Sequence, residues 1–227
     1  MLKTITVRIH SGKGTPVKQY YTGGIDELYY MNLGKVNCNG IKIINVYLSD
    51  SDSYRKVLPA ILEQDCKFDL LLYDQLKDNP FQWKKEVLMA IHSTLLKLCD
   101  EFNWDAKPFE AAYEKCMEQQ LELKWFFKNR LFLSPDKQHY IGFYHWVDVG
   151  AYKVYEVLYD KKKSEIARRL CFQDEVSVFK VSKVLWEEDS CFFTYQFNGP
   201  EKLFKTYVAD IIENKPLELN KPTSAFF

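Results

Sequence analysis

His139, His145 and Asp148 come nearest, by type and spacing, to a proton-transfer or metal-binding set in this chain. An imidazole beside a carboxylate exchanges protons near neutral pH or ligates a metal. All three fall in HYIGFYHWVD, whose alternation of apolar and polar residues reads as a β-strand. On one strand the two histidines share a face with Ile141 and Phe143 and stand about 20 Å apart, so one metal cannot join them unless the strand bends. A partly buried histidine and a strand-end histidine give the same pattern. His10 closes the first strand and His92 flanks a helical core stripe. A hydrolase-like enzyme assembled from distant residues would draw first on His10, His139, His145 and Asp148, because catalysis needs proximity in space rather than in sequence.

Two other chemical signals are incomplete. Ser11-Gly12-Lys13-Gly14-Thr15 follows a strand and looks like part of a phosphate-binding loop. The full GxxxxGK[ST] spacing is absent, and Pro16-Val17 leads into strand-like sequence, so an exposed glycine turn describes it as well. No GxSxG nucleophile elbow occurs, and Cys38, between Asn37 and Asn39, has no histidine near it in sequence. No motif implies a catalytic residue or a cofactor.

Charge gives a different kind of signal. Glu110, Glu114, Glu118 and Glu122 recur at four-residue steps on a predicted helix, with Glu101 and Asp105 just before it. Neighbours at that spacing repel by about 0.2–0.5 kcal/mol per pair, which Lys107 and Lys115 only partly relieve. The pattern is that of a solvated helix face or of an acidic ridge offered to a basic partner. A third surface is aromatic: Tyr140, Tyr144 and Trp146 share the strand face opposite the histidines, with Tyr155, Tyr159 and Lys153 on the next strand and Lys161-Lys162-Lys163 after it. Such a face packs beneath a helix or stacks nucleic-acid bases.

The elements that must position these groups change character along the chain. Leu2 to His10 alternates as a strand with Ile5, Val7 and Ile9 on one face, and a short strand is expected at Val17 to Thr22, broken by Gly23-Gly24. Ile41 to Leu48 reads as a buried strand, with Gly34 to Cys38 as a candidate hairpin mate across Asn39-Gly40. Tyr54 to Leu76 reads as a short helix and then a buried segment at Phe68 to Tyr73. Asn79 and Pro80 cap a helix with the stripe Leu88, Ile91, Leu95, Leu98, Cys99 and Phe102. From Pro108 a second helix carries Phe109, Ala112, Tyr113, Cys116, Leu123 and Phe127. The short link predicts an antiparallel helical hairpin. From Leu131 period two takes over: His139 to Val147, Tyr152 to Tyr159, Ser164 to Cys171, Val176 to Trp186 and Cys191 to Phe197 predict an antiparallel meander. Pro200 to Asn214 reads as a final helix.

The fold class expected is therefore α+β, with a mostly antiparallel sheet, a central antiparallel helical hairpin and a C-terminal helix. The domain expectation is one unit over 1–214, divisible into a strand-rich 1–78, a hairpin 79–129 and a meander plus helix 130–214, with an extended tail at 215–227.

Composition narrows the function classes. The 31 basic and 31 acidic residues cancel, so no whole-protein field draws nucleic acid or anionic lipid. Residues 1–49 carry six basic against two acidic groups, and 50–129 carry eleven against fifteen, which places the acidic excess around the helices. No apolar run spans a bilayer, and MLKTITVRIHSGKG is not a secretory signal. The six cysteines lack paired spacing, so reduced thiols, no zinc and a cytoplasmic location are expected. These features favour a non-enzymatic binding protein that docks a basic protein partner through Glu110, Glu114, Glu118, Glu122, Glu101 and Asp105. Its most specific form is an immunity-type inhibitor of a toxic enzyme. The enzyme and the nucleic-acid-binding sheet are the alternatives.

Overall fold

The structure, a computed structural model, describes residues 1–9, 22–174, 180–187, 190–196 and 202–216. His10, the Ser11 to Thr15 glycine loop, most of the expected strand at Val17 to Thr22, and the tail from 217 on lie outside the described residues, as does the side chain of Cys191. The chain divides into two compact units, Met1–Leu123 and Lys124–Phe227.

The N-terminal unit is a helix-covered mixed sheet. β1 (Thr4–Ile9) forms where the alternation places Ile5 and Val7 on a buried face. The chain then enters α1 (Ile25–Leu33) through Gly23 and Gly24, whose φ values of 65° and 74° lie in the left-handed region that glycine enters without a Cβ penalty. Asp26 fixes the start of α1 to the sheet, accepting hydrogen bonds from the Val7 amide and the Thr22 hydroxyl, each at 3.2 Å. β2 (Ile43–Ser49) lies between β1 and β4 (Ile61–Lys67) and is parallel to both, while the short β3 (Arg55–Val57) pairs antiparallel with β4.

Three expectations are corrected here. Gly34 to Cys38 is no hairpin mate: only a Cys38–Ile41 bridge forms, because the hydrogen-bonding edges of β2 are filled by β1 and β4. Tyr54 to Leu76 is a hairpin followed by the short helix α2 (Leu72–Leu76). Pro59 belongs to its turn, where the Leu58 amide donates to the Ile61 carbonyl at 2.8 Å, and Leu62, Gln64 and Cys66 face inward. The sheet order makes this unit largely parallel rather than antiparallel.

α3 (Pro80–Phe102) starts as expected. The Asn79 side chain accepts from the Gln82 amide at 3.2 Å, and Pro80 occupies the first turn, where a missing N–H costs nothing. Its inward stripe is Trp83, Val87, Leu88, Ile91, Leu95, Leu98 and Cys99, all buried. α4 (Lys107–Glu118) follows a short connection and touches α3, but it packs most extensively on α1. It ends ten residues earlier than a helix reaching 128 would, because Gln120 and Leu121 adopt φ of 54° and 58° and the Leu121 amide closes the end on the Cys116 carbonyl at 3.0 Å.

The C-terminal unit follows the predicted period-two pattern. Its five-stranded sheet contains β5 (Leu123–Phe126), β6 (Phe132–Leu133), β7 (His139–Asp148), β8 (Ala151–Asp160) and β9 (Glu165–Asp174), with β7, β8 and β9 an antiparallel meander. A second antiparallel sheet holds β10 (Lys180–Glu187), β11 (Ser190–Gln196) and β12 (Lys202–Tyr207). The expected helix over Pro200 to Asn214 is replaced by β12 and the one-turn α5 (Val208–Ile212): KLFKTY pairs with β11, and only VADII coils. The core lies between the sheets. Ile141, Phe143, Val154, Leu158 and Cys171 meet Val181, Val184, Trp186, Phe204 and Ile211. No helix among the described residues is long and apolar enough to cross a membrane.

Candidate binding surfaces

α4 is amphipathic in the simplest way. Phe109, Ala112 and Cys116 point inward and are buried, which leaves Glu110, Glu114 and Glu118 exposed on successive turns. None of the three carboxylates is joined to a described residue by an ion pair or hydrogen bond. Glu110, in the first turn, suits the positive end of the helix dipole. Glu118 is the last helical residue and faces the negative end, with Glu114 one turn behind it. Stability alone favours a cation at that position.

The rest of the expected acidic set is dispersed. Glu122 lies past the end of α4 and is half-buried, so it extends no helical row. Glu101 is paired with Arg55 of β3. Asp105 is exposed, and its Oδ1 accepts from the Lys107 amide at 3.1 Å, which shapes the entry to α4. Glu110 also lies near His92, whose pKa is lowered by burial against the opposing pull of that carboxylate. The His92 ring stacks on Tyr113 with centroids 4.5 Å apart and meets the Tyr29 hydroxyl at 3.0 Å; that hydroxyl donates to the Phe109 carbonyl.

His139, His145 and Asp148 stay apart. His139 pairs with Asp160 at one end of β7, and Asp148 pairs with Ala151 at the other. At about 3.4 Å per residue, some 20 Å separates the two histidines and 10 Å separates His145 from Asp148. His145 is buried against Trp125, the rings stacked at 4.9 Å, and its Nδ1 lies 2.6 Å from the Tyr152 hydroxyl. Burial drives its pKa down to about 4, so it is neutral at pH 7, and its Nε2 has no hydrogen-bond partner among the described residues. Among the described residues no three histidine, cysteine, aspartate or glutamate side chains gather as a metal site.

The aromatic face is assembled as the alternation predicts. Across β7 and β8, Tyr140 faces Tyr159, Tyr144 faces Tyr155 and Trp146 faces Lys153. All six are half-buried on the side of the sheet away from the core. Phe126 lies over Gly142, where a Cβ would come within 2.9 Å of its ring, and touches Tyr144 and Tyr159 at centroid distances of 5.2 and 6.3 Å. Cations sit on the rings: Arg168 on Tyr144 and Tyr155 at 5.1 and 5.6 Å, Lys153 on Trp146 at 4.7 Å, and Lys163 on Tyr140 at 5.7 Å. Arg168 of β9 lies opposite Val157 of β8, a register interrupted on either side by irregularities that the alternation of residues does not reveal.

Against these geometries, known proteins offer no parallel: no family model, curated protein or solved structure matches the chain.

Two further polar clusters join residues that carry no motif in the sequence. On the β8 face that carries Val154 and Leu158, Glu156 is buried and accepts from Arg169 Nε at 2.8 Å and Nη2 at 2.5 Å. Arg169 also reaches Thr206 of β12 and the Lys215 carbonyl after α5, so one guanidinium ties three segments. Glu156 Oε1 has no hydrogen-bond partner among the described residues, and burial raises the Glu156 pKa against the pull of Arg169. In the N-terminal unit, on the face of the sheet opposite the buried Leu62, Tyr54 and Tyr47 donate to the two oxygens of Glu63 at 2.8 and 3.3 Å. The Tyr54 bond is the largest of the influences that lower the Glu63 pKa. An acidic or basic residue at an inward strand position is the signal that would have found the first cluster.

Proposed function

We propose that this protein is a non-enzymatic binding protein that docks a basic protein partner through α4, and that it acts as an immunity-type inhibitor covering the basic surface of a toxic enzyme. The row Glu110, Glu114 and Glu118 carries this reading. It is exposed, it is not neutralised by described residues, and it continues to the helix end where a carboxylate is unfavourable. Complementary charge at such a surface speeds encounter and fixes which partner is accepted. Glu101 and Asp105 supply background negative charge, while their close contacts are within the fold.

The test starts from a partner recovered by pull-down from the native host. Its association rate with the unaltered chain is compared with that of Glu114→Lys combined with Glu118→Lys, from low to high salt. The reading expects the rate to fall at least tenfold at low salt and the two proteins to converge at high salt. Equal rates and equal salt dependence would show a merely solvated helix face.

A further inference from the structure

We infer that the outer face of β7, β8 and β9 is a platform for single-stranded nucleic acid. Tyr140, Tyr144 and Trp146 share one face of β7 with Gly142 between the first two, so that they stand about 14 Å and then about 7 Å apart, and Tyr159 and Tyr155 flank Tyr140 and Tyr144 across β8. The inward residues of the same strands already form the core, so the sandwich does not need five aromatic side chains on its other side. Phe126 closes the gap over Gly142, which makes Tyr159, Phe126, Tyr144 and Tyr155 one continuous surface.

Placement of the cations identifies the ligand class. Lys153 and Lys163 lie over the rings themselves, and Arg168, already paired with Glu165, lies over Tyr144 and Tyr155. A ligand that alternates flat π-faces with anionic groups matches both features at once, the base stacking on the ring while the displaced cation follows the phosphate. An acidic peptide matches only the charge. Lys161 and Lys162, exposed at the β8–β9 turn, extend the cationic end of the face. The carboxylates on this side are engaged: Glu165 is held by Arg168 through bonds of 3.0 and 2.9 Å, and Asp148 accepts from the Val149 amide at 2.8 Å at the far end of β7. A net charge of zero gives no general attraction for nucleic acid, so binding is local to this face.

Fluorescence anisotropy with fluorescein-labelled 12-mers of oligo(dT) and oligo(U) tests this on the full chain. The expected result is binding at low salt that weakens as salt rises, with a log–log slope of about −0.7 for each phosphate engaged. Tyr144→Leu, which keeps apolar bulk and removes the stacking face, should weaken binding about fivefold to a hundredfold. Combined Lys153→Ala and Lys163→Ala, on the rim of the face, should flatten the slope by roughly 1.4 if each cation meets one phosphate. Circular dichroism confirms that each variant is folded, and the lysine variants keep the test open should Tyr144→Leu fail to fold. Three outcomes overturn the inference: no binding of either oligonucleotide at the lowest salt, binding unchanged in both sets of folded variants, or equal competition by a poly-glutamate peptide.

Discussion

The two units solve one problem differently: each has a polar residue at an inward position of a central strand. In the N-terminal unit this is Gln64 of β4, neutral, bonded to the Asp65 carbonyl at 2.7 Å and to Arg55, whose guanidinium continues outward to Glu101. In the C-terminal unit it is Glu156 of β8, facing Arg169, with side-chain exposures of 0% and 3%. The neutral amide is satisfied by its chain neighbour and by the adjoining strand. A buried ion pair stabilises only while both partners remain, since either charge left alone in a low-dielectric interior is strongly unfavourable. The helix-covered sheet should therefore tolerate loss of its polar residue far better than the sandwich.

Removing one partner from each site gives the largest expected effect. Arg169→Met should destabilise the chain by about 3–5 kcal/mol, because it strands Glu156 and frees Thr206 and the Lys215 carbonyl from their common donor. Gln64→Leu should cost less than about 1.5 kcal/mol, the net worth of an ordinary hydrogen bond, because Arg55 retains Glu101. Denaturant titration measures both. Adding Glu156→Leu to Arg169→Met should recover most of the loss; failure to recover it would locate the loss in packing rather than charge.

Next in size is a pH effect confined to the C-terminal unit. The folded pKa of His145 is pushed down to about 4, while an unfolded histidine titrates near 6.5. The depressed value means that the unfolded chain binds the proton first as pH falls. The contribution of His145 is then fully present above about 6.5 and is lost progressively down through about 4, a span worth roughly 3 kcal/mol. Stability measured between pH 7 and pH 4 should fall more steeply in the native chain than in His145→Phe. Parallel curves would show that the histidine is hydrated in the folded state.

The same contrast explains what the sequence could reveal. Period-two alternation over His139 to Tyr159 located β7 and β8 and both their faces, because a sandwich strand separates core from surface at every step. The caps and stripe of α3 were equally plain. β4 was hidden, since ILEQDCK places Gln64 inward and Glu63 and Asp65 on the bare face, which masks the alternation. α1 was hidden by its short length and its glycine entry. Pairing partners are non-local, so nothing in IKIINVYL distinguished a hairpin from a strand flanked by parallel neighbours. Of the acidic row, the part inside α4 was legible, and the end of the helix was not. The backbone reversal at Gln120 and Leu121 carries no glycine to announce it, and so the four-residue spacing extends to Glu122 although the helix stops at Glu118.

Smaller effects probe local ends of elements. Asn79→Ala removes the single side-chain cap of α3 and should cost about 1 kcal/mol, with the sandwich unaffected. Hydrogen exchange should show faster opening in the first turn of α3 and unchanged protection in β7 to β9. Thiol chemistry should also divide folded from unfolded protein. Burial pushes Cys38 and Cys116 up to about 11 and Cys99 to about 12, and all five described cysteines are free and buried. A thiol reagent at pH 7.5 should meet these five slowly in the native chain and titrate six in denaturant without reductant.

The smallest expected effect separates stability from recognition on α4. Glu118→Lys places a cation at the negative end of the helix and turns the repulsion with Glu114 into an attraction at the favourable spacing and order. Together these should raise stability by about 0.5 kcal/mol. Glu110→Lys puts a cation at the positive end and should lower it by a similar amount. A fold that kept these carboxylates for its own sake would lose stability at both positions, whereas dipole and spacing alone predict opposite signs. If Glu118→Lys destabilises the chain, Glu118 has a structural partner and the row is no longer evidence for docking. If it stabilises the chain while slowing association with the recovered partner, the two properties are in conflict at one residue. That conflict is expected of a surface retained for recognition, because a residue serving only the fold would have no reason to remain the wrong charge for its helix end.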